Sequence, residues 1–326
     1  MPAHIFVINE TNYEICTRRG IVGLPEADIG SKQEHSTNEA LLSRMAIVKE
    51  GDYVLFYVAK VKELRGVWKA VGEPFYEDLR VWEDKIYPYR FRIECTEFSF
   101  ETPLRLNDIS DLKNSGKLWT WALSRASGTN AMFSISNSEF DILFQEYLKM
   151  NPFTIKKNVV KEPYSVKCGN LFEKIVQTES GMPRYEASLM ALLLGAFVNN
   201  DFQNIFGNYT DYLGYIPTNL GTEIDILLSF TNPHAVSQIM SYDIIEVKLD
   251  RFDDKALRQL IGYESWFIHK KVYGDMNMIR VSAIAKRFDP DVIDYVNKRK
   301  QYEGKVIKLL QYYMNDEGKL ALKHVT

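Results

Sequence analysis

Apolar residues follow two different patterns along the chain, one up to residue 150 and another after it. In the first region, short apolar runs of strand length alternate with turns, and few stretches have helical spacing. The predicted elements are strands at residues 4–8, 51–59, 64–71, 89–95 and 98–100 and helices at residues 11–20 and 139–149. We expect Thr11 to cap the first helix and Gly20 to end it. This pattern predicts a compact, barrel-like α+β domain.

In the second region, strands and helices alternate. Helices are predicted at residues 171–178, 186–199, 255–269 and 290–299, and strands at residues 223–230, 242–249, 278–285, 306–313 and 319–324. Such alternation is typical of an α/β fold with a mixed sheet flanked by helices. The intervening segment, MNPFTIKKNVVKEP, is rich in Pro, Asn and Lys and predicts a linker. We therefore expect domains at residues 1–150 and 163–326, joined by a linker at residues 151–162.

Length and composition are those of a globular protein of two domains. The chain has 326 residues, of which 46% are hydrophobic and 25% charged. The apolar run at residues 187–198 is too short for a membrane span, and residues 1–9 lack a signal-peptide pattern. Three distant cysteines, Cys16, Cys95 and Cys168, exclude a disulfide framework and a cysteine zinc site. We therefore expect a cytoplasmic location without membrane association.

Net charge restricts how the chain can bind a polyanion. The 40 basic and 43 acidic residues give a net charge of −3, whereas proteins that coat nucleic acid indiscriminately are strongly basic. Contact with nucleic acid would therefore depend on local patches or on metal ions.

Ionisable residues lie inside two apolar strands of the second region. Asp225 lies within EIDILLSF, while Glu246 and Lys248 flank Val247 in YDIIEVKL. Residues two apart on a strand share a face, and antiparallel pairing of these strands would bring Asp225 beside that pair. The alternative is a structural ion pair between Lys248 and one of the carboxylates.

Two carboxylates buried together favour a bound cation, since an uncompensated buried charge is costly. Oxygen ligands from Asp225, Glu246 and the Val247 carbonyl suit Mg²⁺, with Mn²⁺ as a substitute. Such an ion would activate water and neutralise charge on a phosphodiester, while Lys248 would orient or deprotonate that water.

The order of these residues resembles the PD-(D/E)XK nuclease superfamily, in a form similar to NucS-type and RecB-like nucleases. The resemblance covers residues 163–326 and implies a restriction-endonuclease-like fold. It implies a helical carboxylate, two metal ligands, a catalytic lysine and two residues of the following helix, namely Glu186, Asp225, Glu246, Lys248, Gln259 and Tyr263. Glu173 is an alternative to Glu186, and Gln259 has the alternative of a solvated surface residue. Gly221-Thr222-Glu223 replaces the usual Pro-Asp.

The first region resembles the EVE domain, a PUA-like β-barrel related to YTH readers. The resemblance lies in HIFVINETNYEICTRRGIVG, GDYVLFYVAK, LRGVWKAVGEPFYED and the stretch from Trp82 to Arg90. It implies a pocket that holds a modified base, flipped out of its strand, by stacking and edge hydrogen bonds. The candidate pocket residues are five aromatic and three polar ones: Trp68, Tyr76, Trp82, Trp119, Trp121, Asn12, Ser127 and Asn130. Val22 stands where YTH-like sequences carry tryptophan.

Together the two resemblances imply a Mg²⁺-dependent DNA endonuclease that depends on a base modification, as in restriction. Its partner would be modified double-stranded DNA, and cutting both strands with one metal site per chain favours a homodimer. Two alternatives remain open. One is a nuclease for branched, damaged or single-stranded DNA without modification dependence, and the other is a catalytically silent reader.

Overall fold

A computed structural model of the chain describes residues 2–27, 30, 32–96, 100–123, 131–153, 160–165, 169–218 and 220–325. The chain divides into two compact units, Met1–Ile175 and Val176–Thr326. Residues 163–175, predicted to open the C-terminal domain, therefore belong to the first unit. The reason is hydrogen bonding: the Glu162 amide donates to the Arg18 carbonyl, and the Tyr164 amide donates to the Arg19 carbonyl.

The first unit is built on a seven-stranded mixed sheet. Its strands are β1 (Ala3–Ile8), β2 (Ile21–Leu24), β3 (Tyr53–Val58), β4 (Glu63–Tyr76), β5 (Tyr89–Cys95), β6 (Leu104–Arg105) and β7 (Met132–Ile135). The order is β2-β5-β4-β3-β1-β7, with β6 paired to β4. Only β1 and β3 pair in parallel among these described strands. The helices are α1 (Glu10–Arg19), α2 (Glu34–Met45), α3 (Leu106–Asn114) and α4 (Asn137–Met150).

Helix α1 begins at Glu10, one residue earlier than predicted. Asn9 is the N-cap, since its side chain accepts a hydrogen bond from the Asn12 amide, and the prediction that Thr11 caps the helix is wrong. Thr11 instead lies in the first turn. Gly20 ends the helix with φ 63°, a left-handed conformation that favours glycine, as predicted.

The second unit contains a six-stranded mixed sheet. Its strands are β8 (Asp211–Pro217), β9 (Glu223–Asn232), β10 (Ala235–Phe252), β11 (Ile279–Phe288), β12 (Ile307–Met314) and β13 (Leu320–His324). Their order is β13-β12-β11-β10-β9-β8, with β11 parallel to both β10 and β12. The helices are α5 (Glu186–Val198), α6 (Gln203–Phe206), α7 (Asp254–Lys270) and α8 (Pro290–Glu303). None of the helices in the described ranges combines the length and apolar character of a membrane span.

Several short elements differ from the predictions. The helix predicted at residues 171–178 is a 3₁₀ turn, Leu171–Lys174, because the chain becomes extended at Ile175 and Gln177 bridges to Pro183. The strand predicted at residues 98–100 falls largely on residues 97–99, outside the described ranges. The apolar pattern does not predict α2, α3, α6, β2, β6, β7 and β8, because most of these elements are short or lack a strong apolar period.

A buried polar network connects β1 with the edge strand β7 and with Asp52, the residue before β3. The His4 ring, fully buried on β1, lies 3.0 Å from Asp52 Oδ2 and 2.9 Å from the Ser134 hydroxyl on β7. Asp52 also accepts a hydrogen bond of 2.8 Å from the Lys49 amide. Because Asp52 and the His4 ring are both fully buried, loss of Asp52 would remove the hydrogen-bond partner of the buried His4 Nε2 atom.

We predict that Asp52→Ala lowers the free energy of unfolding by about 1–3 kcal/mol, the cost of leaving one buried polar group unsatisfied. Glu50→Ala is the matched control, because Glu50 is an exposed acid two residues away. Its effect should stay within about 0.5 kcal/mol. Urea denaturation followed by circular dichroism measures both, and equal effects of the two substitutions would contradict the role assigned to Asp52.

Candidate active site and aromatic pocket

The acidic residues of the second unit meet where β9 pairs with β10. The predicted antiparallel pairing is confirmed: Ile226 lies opposite Ile245, which brings Asp225 beside Glu246. The Val247 amide donates to Asp225 Oδ2 at 2.7 Å, so the backbone of one strand holds the carboxylate of the other. Asp225 is half-buried, whereas Glu246 is fully buried.

Lys248 occupies the centre of this group. Its Nζ atom lies 2.7 Å from Glu246 Oε1 and 3.0 Å from the Val247 carbonyl oxygen. A third oxygen, Glu186 Oε1, lies 3.9 Å away. The side chain of Lys248 remains 25% exposed, so the group opens to solvent through its lysine.

Glu186 reaches the group because it is the first residue of α5. Its Oε2 atom accepts a hydrogen bond of 3.4 Å from the Leu249 amide on β10. Its side chain is 48% exposed. Glu173, the alternative carboxylate, lies on the 3₁₀ turn of the first unit, whereas Glu186 belongs to the second unit, as Lys248 does. We refer to Asp225, Glu246, Lys248 and Glu186 as the carboxylate–lysine cluster.

Burial dominates the electrostatics of this cluster. Burial, and then the neighbouring Glu246 charge, raise the pKa of Asp225 well above its usual range. Burial likewise raises the pKa of Glu246 to about 7, although Lys248 opposes the shift. For Lys248, burial lowers the pKa, but Glu246 and Asp225 outweigh it and hold the lysine protonated. The cluster therefore contains two carboxyls that bind protons readily and one permanent cation.

The oxygen atoms of the cluster are the type of ligand that a hard divalent cation prefers. Glu246 Oε2 is buried and has no hydrogen-bond partner among the described residues, which is the kind of orphaned oxygen that a cation satisfies. In the described ranges, however, no three His, Cys, Asp or Glu side chains are arranged as a ready metal site. Lys248 Nζ contacts two of the three proposed ligand atoms. A cation would therefore have to displace this ammonium group from at least one of them.

Helix α7 supports the strand that carries Asp225. The buried Tyr263 hydroxyl donates to the Glu223 carbonyl oxygen at 2.6 Å, at the beginning of β9. Gln259 donates its amide to the same hydroxyl at 2.7 Å. Burial raises the pKa of Tyr263, so it stays neutral. Both predicted residues thus lie next to the cluster, where they fix the backbone two residues before Asp225.

A cavity of about 330 Å³ lies in the first unit, between β1, α1, β2 and the segment that follows β4. Trp82 and Tyr87 form its aromatic wall, with ring centroids 4.9 Å apart and planes inclined by 53°. The Arg90 guanidinium lies 5.3 Å from the Trp82 ring centroid and helps to fix its position. Lys60, which is exposed, places a positive charge on the rim. We call this cavity the aromatic pocket.

Glycine at position 23 permits the close packing of this pocket. A Cβ atom there would lie 2.7 Å from Tyr87 Cβ and 2.9 Å from Trp82 Cη2. These distances are shorter than van der Waals contact, so any larger residue would push the aromatic wall away. Val22, which replaces the tryptophan of YTH-like sequences, also lines the pocket.

Two of the eight predicted pocket residues, Asn12 and Trp82, line the aromatic pocket. The other four predicted aromatics, Trp68, Tyr76, Trp119 and Trp121, do not line it. Trp121 packs edge-on against Phe133 in the core. Tyr76 donates to Glu26 at 2.7 Å, while Trp68 is buried and Trp119 is half-buried. Of these four, Trp68 and Trp121 are buried in the core of the first unit.

Ser127 and Asn130 lie outside the described residues. Sequence reasoning missed Tyr87 and Gly23 as pocket residues. Tyr87 could have been predicted, because it lies in the Trp82–Arg90 stretch, which is part of the resemblance to the EVE domain. Nothing local in the sequence distinguishes Gly23 from an ordinary strand glycine, because its role depends on the approach of a distant segment.

A comparison with protein families agrees with the resemblance of the first region to the EVE domain. Residues 35–146 match the family model described as the EVE domain. A comparison with curated protein sequences finds no match.

Comparisons with solved structures find low sequence identities and low TM-scores. A hypothetical protein from Leishmania major is 15% identical, with a TM-score of 0.33, over 46% of this chain and 96% of its own. A repair endonuclease from Pyrococcus abyssi is 17% identical, with a TM-score of 0.26, over 35% of this chain and 45% of its own. A structure described as an EndoMS–dsDNA2 complex is 17% identical, with a TM-score of 0.25, over 36% and 44% of the two chains. TM-scores this low do not establish a shared fold, and the EVE match of the first unit is the family-level finding.

Proposed function

We propose that the protein is a Mg²⁺-dependent DNA endonuclease of restriction type, in which the first unit reads a modified base and the second hydrolyses phosphodiesters. The observation that carries the proposal is the carboxylate–lysine cluster. Two carboxyls and an amine converge on adjoining strands, with a buried oxygen that has no hydrogen-bond partner among the described residues. A merely structural ion pair needs one acid, whereas this cluster has three.

Asp225, Glu246 and the Val247 carbonyl oxygen would hold the Mg²⁺ ion, which supplies Lewis-acid stabilisation of the phosphodiester and acidifies water. Release of Lys248 from the Val247 oxygen would free its ammonium group. Glu246 and Asp225 raise the pKa of Lys248 and favour its protonated form, in which it would donate hydrogen bonds that orient the water.

In this mechanism the Lys248 ammonium group would stabilise the negative charge that develops on the phosphate oxygens as water attacks phosphorus and the P–O bond breaks. Glu186 is the carboxylate best placed to accept the proton of water, because it is half-exposed and 3.9 Å from Lys248. Gln259 and Tyr263 are positioning residues, since they act through the backbone of β9.

The aromatic pocket would take a base flipped out of the strand. The Trp82 and Tyr87 rings offer surfaces for stacking, and stacking of a base on an aromatic residue contributes about 1–3 kcal/mol. Lys60 on the rim would contact a flanking phosphate. Since the described residues contain one carboxylate–lysine cluster per chain, we propose that two copies act together to cut both strands.

A catalytically silent reader is the second candidate. It is favoured by one observation, the 2.7 Å ion pair between Lys248 and Glu246, which neutralises part of the buried charge without a metal. The two candidates differ in whether the second unit binds a divalent cation and cuts DNA, and the experiments below separate them.

We predict that Lys248→Ala reduces the rate of Mg²⁺-dependent cleavage at least about 100-fold, since a preorganised donor to a developing charge contributes about 3–4 kcal/mol. Lys298→Ala is the matched control, because Lys298 also pairs with an acid, Asp294, but at an exposed position on α8. The assay compares plasmid DNA with and without modified cytosine or adenine.

The plasmid assay also separates the candidates. Cleavage of modified DNA alone supports the proposal, and a preference for branched or single-stranded DNA without dependence on modification selects the other type of nuclease. Inert wild-type protein on every substrate contradicts catalysis and supports the silent reader.

We predict that the metal-free protein loses stability as the pH rises through about 7. The pKa values of Asp225 and Glu246 are raised in the folded state, so their stabilising contribution is complete at low pH and is lost as the pH rises through the raised values.

Mn²⁺ at about ten times its Kd should raise the Tm by about 3–5 °C, and more at pH 8 than at pH 6. Differential scanning calorimetry measures the shift. Asp225→Asn should abolish the Mn²⁺ effect, and an equal shift in this variant would contradict the assignment of the ion.

We predict that Gly23→Ala weakens binding of modified DNA at least about 10-fold, because the added methyl group displaces Trp82 and Tyr87 and the base loses stacking energy. Gly262→Ala is the control, since a Cβ atom at this helical glycine meets nothing within 4 Å. Fluorescence anisotropy with a labelled modified oligonucleotide gives the affinities. Unchanged affinity in Gly23→Ala would show that the base is bound elsewhere.

A further inference from the structure

Arg90 is a buried cation that contacts the aromatic wall of the pocket without lining the cavity itself. Its side chain is fully buried, and its guanidinium lies 5.3 Å from the Trp82 ring centroid. Its Nε atom donates to the Tyr87 carbonyl oxygen at 2.6 Å, and its Nη2 atom donates to the Leu79 carbonyl oxygen. Arg90 therefore holds both residues of the wall and the segment of chain that carries them.

Glu77 and Tyr164 hold the rest of the Arg90 guanidinium. Nη1 donates to the Tyr164 hydroxyl oxygen at 2.9 Å and to Glu77 Oε2 at 3.2 Å. The Tyr164 hydroxyl donates its own proton to the same Glu77 oxygen at 2.6 Å. Burial lowers the pKa of Arg90, while Tyr164 and Glu77 oppose that shift. The buried cation thus depends on two partners, of which Tyr164 is far away along the chain.

Tyr164 belongs to a segment that is docked at the end of α1. The amides of Lys161 and Glu162 both donate to the Arg18 carbonyl oxygen, at 3.1 and 3.0 Å, and the Tyr164 amide donates to the Arg19 carbonyl oxygen at 3.0 Å. The end of a helix leaves such carbonyl groups without partners inside the helix, so the segment satisfies them. The Arg19 guanidinium also lies 5.3 Å from the Tyr164 ring centroid. We call residues 160–164 the docked segment.

The contacts of the docked segment lie mostly at the surface. Residues 161–163 are exposed and Tyr164 is half-buried. The ion pair between Arg18 and Glu162, at 3.7 Å, joins side chains that are 50% and 60% exposed, and such surface pairs contribute little. Segments with few buried contacts open locally at a lower free energy than core strands. Tyr164 therefore connects a segment of low local stability to a cation that holds the aromatic wall.

We infer that Tyr164 is a positioning residue for the aromatic pocket, and that docking of residues 160–164 and occupation of the pocket favour each other. In the docked state, Tyr164 and Glu77 hold Arg90 against the aromatic wall. When the segment leaves, the buried ion pair loses the hydroxyl that bridges it, so Arg90 and the wall rearrange. Coupling between two sites is reciprocal, so a ligand that needs the wall in place also stabilises the docked segment. This inference rests on the proposed reader function and adds a means of regulating its pocket.

The Tyr164→Phe variant tests the inference at a single atom. It keeps the aromatic ring but removes the hydroxyl that accepts from Arg90 and donates to Glu77. The probes are labelled DNA duplexes with one central 5-methylcytosine or one central N6-methyladenine, and the duplex that the wild-type chain binds more tightly is used. We expect the affinity measured by fluorescence anisotropy to fall at least about 5-fold, the lower end of typical coupling between two sites.

Tyr147→Phe is the matched control. The Tyr147 hydroxyl is buried in the core of the first unit and also donates to a carbonyl oxygen, that of Leu64 at 2.7 Å, but it does not contact Arg90. This variant should bind the duplex as the wild-type chain does. Unchanged affinity in Tyr164→Phe, or an equal loss in both variants, would contradict the inference.

Hydrogen exchange of the docked segment gives a readout that a purely structural role of Tyr164 would not change. At saturation, the same duplex should slow exchange of the Lys161, Glu162 and Tyr164 amides at least about 5-fold in the wild-type chain, because the coupling acts equally in both directions. At equal occupancy, the slowing should be much smaller in Tyr164→Phe. Exchange that the duplex does not change, or slows equally in both proteins, would overturn the inference.

The failure of this inference is distinguishable from the failure of the proposed function. If the wild-type chain binds neither duplex, the reader function is contradicted together with the inference. If it binds a duplex and Gly23→Ala weakens that binding, while Tyr164→Phe leaves it unchanged, the pocket is a base reader and only the coupling is wrong.

Discussion

The burial of Glu246 in a central strand of the six-stranded sheet is the constraint on which the rest of the second unit depends. A fully buried carboxyl needs a compensating positive charge, and Lys248 supplies it from two residues along the same strand. Asp225 then adds a second acid from β9, held there by the Val247 amide. The arrangement brings more acidic groups together than one lysine can pair with, which is why we propose that a divalent cation binds there.

The neighbouring helices α5 and α7 contribute to the carboxylate–lysine cluster or hold its strands in place. Helix α5 begins at Glu186, which brings a third carboxylate to the group, and Tyr263 of α7 holds the beginning of β9. In the first unit, hydrogen bonding plays a comparable part at the aromatic pocket, where Asp84 fixes both Tyr87 and Asn12. In both units, the candidate site depends on side chains whose orientation is fixed by hydrogen bonds or ion pairs with neighbouring residues.

The carboxylate–lysine cluster could be predicted from the sequence because its ionisable residues interrupt two otherwise apolar strands. Asp225 between two isoleucines and Glu246 beside Val247 are visible as anomalies, and antiparallel pairing then brings them together. The pocket is harder to predict, since its lining comes from five separated stretches of chain and Gly23 matters only through the approach of Trp82 and Tyr87. The cap of α1 was misplaced because Asn9 and Thr11 both suit an N-cap, and only the hydrogen bond to the Asn12 amide distinguishes them.

The most direct measurement is anomalous X-ray diffraction from crystals of the full chain soaked in Mn²⁺ near pH 8. The account predicts an anomalous peak between the carboxylates of Asp225 and Glu246, with Lys248 Nζ moved away from the Val247 carbonyl oxygen. A crystal in which Lys248 keeps both contacts and no peak develops at saturating Mn²⁺ would contradict it.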